Sequence, residues 1–185
     1  GDVYKRQTLL GAFNARSLGI STVDVGSMHE ATWFVSSIMM FIGGGSASTA
    51  GGIKVTTFAV MVLAILAEVR GNRDIEAFGR RIGPSTVRLA VAVVAMSSLV
   101  IGLSTAVLML LTDLPLSKAL FEVNSAFGTV GLSTGITGSL PDSGKILLSL
   151  LMFTGRVGSM TFGAALAMRN RRRVIRFPEE APTIG

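Results

Sequence analysis

The sequence predicts an all-α membrane protein built from repeated units, each with a span, a re-entrant helix, a glycine-rich loop and a second span. Of its 185 residues, 49% are hydrophobic, only 15% are charged and 22 are glycine, as is typical of membrane proteins. Residues 86–112 form an apolar stretch with Arg88 as its one charge, long enough to cross a ~30 Å hydrocarbon core. Residues 15–51 and 127–163 align without a gap.

This alignment has a constant offset, because Gly131 follows Gly19 by 112 residues and the other matches keep that spacing. Such a register is hard to obtain by chance. Repeated membrane units usually build a pathway at their interface, so the repeat points to transport. The identical pairs are Gly19/Gly131, Ser21/Ser133, Thr22/Thr134, Gly26/Gly138, Ser27/Ser139, Ser37/Ser149, Met40/Met152, Phe41/Phe153, Gly43/Gly155, Thr49/Thr161 and Gly51/Gly163.

Two further spans are predicted, and both are interrupted by glycine. Residues 31–42 and 53–67 are each too short to span alone, but joined through GGGSASTAGG (43–52) they would cross as one broken helix. Residues 144–168 form the last span, with a milder interruption. At about 20 apolar residues per span, the chain crosses the membrane about three times.

The orientation follows from two basic segments that each leave a span. Under the positive-inside rule both are cytoplasmic, which puts the carboxy terminus inside and the loops at Gly19 and Gly131 outside. The basic residues lie at membrane exits without interleaved aromatic residues, a pattern that favours lipid head groups over nucleic acid. They are Arg70, Arg73, Arg80 and Arg81 in the first segment and Arg169, Arg171, Arg172, Arg173 and Arg176 in the second.

A re-entrant pore helix is predicted at 115–127, which reads PLSKALFEVNSAF. Pro115 suits a helix start, and apolar residues recur at helical spacing. The carboxy-terminal end of this helix carries partial negative charge, which would stabilise a dehydrating cation on the pore axis. Glu122 on this helix either attracts cations or only forms a hydrogen bond near the helix start.

The next segment, GTVGLS (128–133), is suited to exposing backbone carbonyls, because glycine permits torsions that side chains forbid. Irregular backbone at this depth survives only where it lines a cavity or packs in protein. A row of carbonyl oxygens favours a desolvated alkali cation. The sequence therefore predicts passive conduction of monovalent cations, with no enzymatic chemistry and no bound cofactor.

Residues 43–54, GGGSASTAGGIK, do not form a nucleotide or hydrolase motif. A P-loop needs lysine directly after glycine, whereas Ile53 separates Gly52 from Lys54. The serines have no base in a plausible motif, and His29, the only histidine, has no partners and is assigned no role. Two interpretations stay open here, a flexible break in a membrane helix and a passive packing kink.

Three other classes of protein were weighed against a passive pore. A sodium- or proton-coupled secondary transporter also uses broken helices, but it should place acidic or polar ligands in mid-membrane, and the predicted spans contain none. An intramembrane hydrolase needs a Ser/His or paired-Asp site, and Asp24, Asp113 and Asp142 form no such pair. A purely structural subunit would leave the repeated loops unexplained.

Three segments carry a family resemblance: FEVNSAFGTVGLSTGIT, MFIGGGSASTAGGIKVTTF and MFTGRVGSMT. They resemble the fourth filter, the third-repeat intramembrane loop and the final helix of the Trk/Ktr/HKT superfamily of potassium uptake proteins, and are most similar to the Ktr-type membrane subunit. The resemblance implies a potassium-channel-like pore of four repeats. This chain would hold the end of the third repeat and all of the fourth, so that the fold is incomplete here.

The resemblance also implies two filter loops, each with one filter glycine. In the third loop, ARSLGIS stands where family members more often read TRTAGFN, so Leu18 and Ile20 depart from the pattern. Backbone carbonyls of both loops would hold potassium, or sodium, as the transported ion. The ion-filter residues are Ser17, Leu18, Gly19 and Ile20 in the third loop and Thr129, Val130, Gly131 and Leu132 in the fourth.

In the family, the intramembrane loop acts as a gate under the filter. The resemblance implies that Arg156, the matching arginine, faces this loop and the pore, where it would either gate or hold helices together by binding loop carbonyls. Lys54 would add positive charge below the filter or only mark the cytoplasmic side. The predicted gate residues are Gly43, Gly44, Gly45, Ser46, Ser48, Thr49, Gly51, Gly52, Lys54 and Arg156.

The expected organisation has three parts. Residues 1–7 resemble a translated sequencing adapter, so we expect the natural protein to continue upstream. Residues 8–85 hold the end of the third repeat, and 86–185 hold the fourth repeat and a basic cytoplasmic tail. The resemblance implies a multi-pass protein of a bacterial plasma membrane that forms a homodimer and binds a cytosolic nucleotide-binding ring.

Overall fold

The computed structural model describes residues 19, 24–45, 50–72, 74–77 and 79–158. Within these ranges the regular secondary structure is helical apart from one small hairpin, and the predicted all-α class is confirmed. The helices are α1 (Glu30–Phe41), α2 (Val55–Val69), α3 (Pro84–Leu111), α4 (Leu116–Gly128) and α5 (Asp142–Phe153), which continues into a π-helical segment, Thr154–Gly158; the strands are β1 (Ile75–Ala77) and β2 (Arg80–Ile82).

Helix α3 has 28 residues and is, within the described ranges, the one helix long and apolar enough to cross a membrane by itself. Pro84 occupies its first turn, where the missing N–H has no helical acceptor to lose. Its bounds lie within two residues of the predicted span 86–112. The apolar helix α2 is shorter, with 15 residues.

Helix α4 lies at the centre of the described fold, at the position of the predicted pore helix. Every residue from Phe121 to Gly128 is buried, because α1, α3 and α5 all pack against it. The main hydrophobic core lies between α3, α4 and α5. It contains Ile101, Leu108, Ala119, Val123, Ala126, Phe127, Leu140, Leu148 and Leu151.

A second apolar cluster joins α1 to α4 and to the loop that follows α4. The indole N–H of Trp33 donates to the carbonyl of Val25 at 2.8 Å, and the ammonium of Lys118 lies 5.7 Å from the centre of the Trp33 ring, within cation–π range. The cluster contains Val25, Trp33, Met40, Phe121, Val130 and Leu132.

The connection between α2 and α3 contains an antiparallel hairpin that we did not predict from sequence. Ala77 pairs with Arg80 across its turn, and Gly79 in that turn has φ +72°. Between Ala77 and Arg80 the sequence reads Phe-Gly, not the Asn-Gly or Asp-Gly pair that marks such turns in a sequence. Arg81 and Asp74 form an exposed ion pair at 2.7 Å, which adds little stability at a surface.

The internal repeat is visible in the secondary structure. The 3-10 turn Val25–Ser27 and the 3-10 turn Thr137–Ser139 begin and end 112 residues apart. Helices α1 and α5 also begin and end at matched positions, since Glu30 corresponds to Asp142 and Phe41 to Phe153. The alignment of the two copies thus describes matching backbone as well as matching residue types.

Candidate filter and intramembrane loop

The two predicted filter glycines lie against each other. Gly19 has φ +62° and Gly131 has φ +86°, so both adopt the left-handed conformation that favours glycine. A Cβ placed on Gly131 would lie 3.3 Å from the Cα of Gly19, and one placed on Gly19 would lie 3.2 Å from the carbonyl oxygen of Val130. Both positions therefore require the absence of a side chain, and both are exposed.

The predicted fourth filter loop begins where α4 ends in a left-handed residue. Thr129 has φ 51° and ψ 40°, which is uncommon for any residue other than glycine. Its N–H bonds to the carbonyl of Ala126 at 3.1 Å, and the N–H of Val130 bonds to the carbonyl of Ser125 at 3.0 Å. These bonds satisfy carbonyls at the helix end and turn the chain away from the helix axis.

The outer part of the same loop is bonded back to α4. The hydroxyl of Ser125 donates to the carbonyl of Leu132, so one lone pair of this predicted filter oxygen is occupied within the protein and one remains. The side chains of Val130 and Leu132 are buried in the second apolar cluster. These two buried side chains therefore hold one face of the loop against the second apolar cluster.

Glu122 lies near the middle of α4, as the seventh of its 13 residues, and not near the helix start. Its carboxylate accepts hydrogen bonds from Ser133, Thr134 and Thr137, all beyond the filter glycine. The predicted filter and gate residues did not include it. A carboxylate near a Ser/Thr-rich loop is a weak sequence signal, because the pairing depends on how the chain folds back.

The intramembrane loop (43–52) is closed at its base by backbone hydrogen bonds. The N–H of Gly43 donates to the carbonyl of Ile53 at 2.8 Å, the N–H of Ile53 to that of Phe41 at 3.1 Å, and the N–H of Val55 to that of Gly44 at 3.2 Å. We call these five residues the loop neck. The chain therefore leaves α1, returns beside its own exit and starts α2.

The end of α4 is held in a contact that we call the glycine junction, made by Gly51, Gly128 and Gly155. A Cβ on Gly155 would lie 1.9 Å from the carbonyl oxygen of Phe127, and one on Gly51 would lie 2.8 Å from the same oxygen. A Cβ on Gly128 would lie 2.9 Å from the carbonyl oxygen of Met40. The three backbones approach closely because none carries a side chain.

One polar bond joins the intramembrane loop to the filter. The N–H of Gly51 donates to the hydroxyl oxygen of Thr129 at 3.1 Å. Thr129 is the first predicted residue of the fourth filter, so the loop and the filter are in direct contact. Sequence analysis placed both in the same region, but it did not predict this pair.

The remaining predicted residues are placed as follows. Lys54 is half-buried and lines a cavity of about 190 Å³ between α2 and α3, together with Thr86 and Ala90. Arg156 lies in the π-helical segment with an exposed side chain. Gly44 and Gly45 follow α1 outside regular secondary structure. Ser17, Leu18, Ile20, Ser46, Ser48 and Thr49 lie outside the described residues.

Comparison with known proteins identifies relatives over most of the chain. The family model of TrkH, a cation transport protein, matches residues 5–170. Ktr system potassium uptake protein B of Bacillus subtilis (strain 168) is 39% identical over 168 residues, which is 91% of this chain and 38% of that protein. Protein D of the same system and strain is 36% identical over 170 residues, 92% of this chain and 38% of that protein.

A third relative has two ions in its name. The potassium/sodium uptake protein NtpJ of Enterococcus hirae is 34% identical over 184 residues, which is 96% of this chain and 41% of that protein. The chain thus spans about 38% of the length of the two Bacillus proteins and about 41% of the Enterococcus protein.

Proposed function

The chain belongs to the TrkH family of cation transport proteins, and from this premise we propose that it forms part of a membrane pore for potassium uptake. Dehydrated monovalent cations pass down their electrochemical gradient between filter loops that offer backbone carbonyls. The names of the Bacillus relatives support potassium as the ion. That of the Enterococcus relative supports sodium as a second ion.

The observation that carries this proposal is the pair of filter glycines. Gly19 and Gly131 occupy matched positions in the two repeats, share the left-handed backbone and lie against each other. Such backbone orients carbonyl oxygens without side-chain interference. The buried helix α4 ends at Gly128, and its carboxy-terminal partial negative charge adds to the attraction for a cation at the adjacent loop.

The intramembrane loop is proposed as the gate. The loop neck is fixed by three backbone hydrogen bonds, which hold the two ends of the loop beside each other between α1 and α2. The contact of Gly51 with Thr129 supports a position directly beside the filter. Arg156, next to Gly155 of the glycine junction in sequence, contributes a positive charge that opposes cations when the gate is closed.

The assembly and its orientation belong to the same proposal. The carboxy terminus is cytoplasmic, because arginines are concentrated after the last span, and anionic lipid binds these arginines. Two copies form a homodimer that a cytosolic nucleotide-binding ring regulates. The protein carries out no enzymatic step.

Growth rescue tests this function. The full-length protein encoded by the gene that contains this chain is expressed in a bacterium without potassium uptake, at limiting potassium. We expect the wild type to restore growth and Gly131→Asp to abolish the rescue, because a side chain there meets Gly19. Gly79→Asp is the matched control, since Gly79 has φ +72° but open space around it.

Each outcome has a defined meaning. No rescue by the wild type would contradict potassium uptake. Rescue by Gly131→Asp equal to that of the wild type would contradict the filter assignment while leaving uptake intact. Measuring rubidium uptake with and without sodium in the same cells distinguishes passive conduction from sodium coupling, because only a coupled transporter requires sodium for uptake.

A further inference from the structure

Glu122 is a buried acidic residue to which the proposed filter and gate assign no role. Only 4% of its surface is exposed, and it lies on α4 with buried neighbours on both sides. A charged group is costly to bury unless hydrogen bonds replace its water. The position therefore requires a set of partners that compensates this cost.

The partners are four hydrogen-bond donors. The backbone N–H of Thr134 donates at 2.9 Å and its hydroxyl at 3.2 Å, and the hydroxyls of Ser133 and Thr137 complete the set. An ionised carboxylate only accepts hydrogen bonds, so this environment suits the charged form. Three of the four bonds reach the same oxygen atom, Oε1.

The segment that these bonds hold has no regular backbone pairing of its own. Residues 130–136 form neither helix nor strand, and Gly131 and Gly135 both have positive φ, +86° and +87°. Ser125, one turn further along α4 than Glu122, holds the carbonyl of Leu132. Glu122 and Ser125 thus fix the loop at two neighbouring points just beyond the filter glycine.

Packing alone does not fix the loop on this side. A cavity of about 230 Å³ lies behind it, bounded by Glu122, Gly131, Ser133 and Thr137 and, on α5, by Lys145. This cavity is partly open, so few atoms pack against the loop there. Where side chains do not fill the space, the hydrogen bonds to Glu122 determine where the loop lies.

We propose that Glu122 is a positioning residue of the fourth filter, whose ionised carboxylate holds Ser133–Thr137 so that the carbonyls of Val130 and Gly131 keep the spacing required by a dehydrated cation. Its fixed negative charge also favours cation occupancy of the adjacent site. In this role Glu122 acts through its hydrogen bonds to the loop and not as a ligand of the ion. The inference rests on the proposed function as a cation pore.

The test measures rubidium and sodium uptake by the full-length protein, reporting the apparent KM and the maximal rate per amount of protein in the membrane. Glu122→Gln keeps the shape of the side chain but replaces one carboxylate oxygen with an amide NH2 group, a donor that would face the hydrogen-bond donors of the loop. Glu122→Asp keeps the charge and shortens the reach. Thr137→Val removes one exposed donor, and Glu30→Gln, at an exposed position at the start of α1, controls for loss of charge alone.

We expect Glu122→Gln to raise the apparent KM for rubidium about tenfold, the size expected for loss of a charge-assisted hydrogen bond, and to lower rubidium/sodium discrimination. Glu122→Asp should recover part of both. Thr137→Val should raise KM about twofold, because the Thr137 hydroxyl bonds to Glu122 and to Ser133 at the exposed edge of the set. Glu30→Gln should change neither. A merely structural residue would lower the amount of protein and the maximal rate without moving KM or ion discrimination.

Two results would overturn the inference. One is that both Glu122→Gln and Thr137→Val keep the wild-type KM for rubidium and the wild-type rubidium/sodium discrimination. If Glu122→Gln does not reach the membrane, the result for Thr137→Val alone decides. The other is a change of KM in Glu30→Gln that equals the change in Glu122→Gln. Wild-type uptake measured beside the variants separates these results from failure of the proposed function, in which the unaltered protein takes up no rubidium.

Discussion

Helices α1 and α5 begin and end at matched positions of the repeat, yet the chain behind them follows two different paths. After Phe41 the first copy leaves the helix and forms the intramembrane loop. After Phe153 the second copy continues as the π-helical segment Thr154–Gly158. The same repeat unit is therefore followed by a loop in one copy and by the π-helical segment in the other.

The glycine shared by both copies does not explain this difference. Gly43 and Gly155 are both buried, and both backbones lie against a carbonyl oxygen, that of Gly51 or that of Phe127. The residues that follow do differ, since Gly44 is matched by Arg156. Each glycine costs a helix about 0.5–1 kcal/mol relative to alanine, so three consecutive glycines favour the loop.

The largest effect that would test this comparison comes from alanine at the matched glycines. Gly155→Ala should destabilise the protein by about 3 kcal/mol or more, because its Cβ would overlap the backbone of α4. Gly43→Ala should cost less, because its Cβ would overlap one atom, the carbonyl oxygen of Gly51 at 2.1 Å, whereas a Cβ on Gly155 would lie 1.9 Å from the carbonyl oxygen and 2.8 Å from the carbonyl carbon of Phe127. Thermal unfolding of the purified protein in detergent measures both. Equal losses of stability would mean that the backbone around Gly43 yields no more easily than the backbone around Gly155.

The next effect concerns the matched methionines. Met40 is fully buried, whereas Met152 is 47% exposed. Met40→Ala should cost about 2–5 kcal/mol, and Met152→Ala should stay within about 0.5 kcal/mol, in the same unfolding measurement. Similar costs would show that the full-length protein buries both copies alike.

A smaller effect should follow from cutting the bond between the loop and the filter. Thr129→Val keeps the branched shape but leaves the N–H of Gly51 without its acceptor, which costs about 1–3 kcal/mol for a buried group. Thr129→Ser keeps the hydroxyl and should retain most of the stability and of the rubidium uptake. If valine and serine behave alike, the loop of the first copy does not depend on the filter of the second.

The smallest effect is expected at Gly45, where a Cβ would meet open space. Gly45→Ala should leave stability within about 0.5 kcal/mol but lower rubidium uptake about twofold, because alanine stiffens the loop by favouring helix over glycine by up to about 1 kcal/mol. Gly102→Ala in α3 also has open space and should leave uptake unchanged. A normal rate in Gly45→Ala would argue against loop movement as the limiting step.

Much of this fold was accessible from local sequence patterns. Apolar length indicated α3, and helical spacing indicated α4 within one residue at each end. The constant offset identified Gly19 and Gly131 as equivalents, and the structure gives them the same backbone conformation. These features are local or periodic, which is why the order of residues is enough to reveal them. The roles of the two glycines as filter residues stay predictions.

The contacts between distant segments were not accessible in this way. Gly51 and Thr129 are 78 residues apart, and no periodicity links them. Glu122 finds its partners only because the chain turns back after Gly131. The hairpin of β1 and β2 was missed for a different reason, since Phe78 and Gly79 do not form a standard turn signature. Long-range pairing and unusual turns depend on tertiary packing.

The π-helical segment changes the angular phase of side chains around the axis of the helix that begins at Asp142. A π turn closes one residue later than an α turn, and one residue of an α-helix corresponds to about 100° around the axis. A helical wheel drawn from Asp142 through Gly158 as if it were all α-helix therefore assigns the end of the π-helical segment to the wrong face. Scanning mutagenesis of this part of the chain should restart its phase at Thr154.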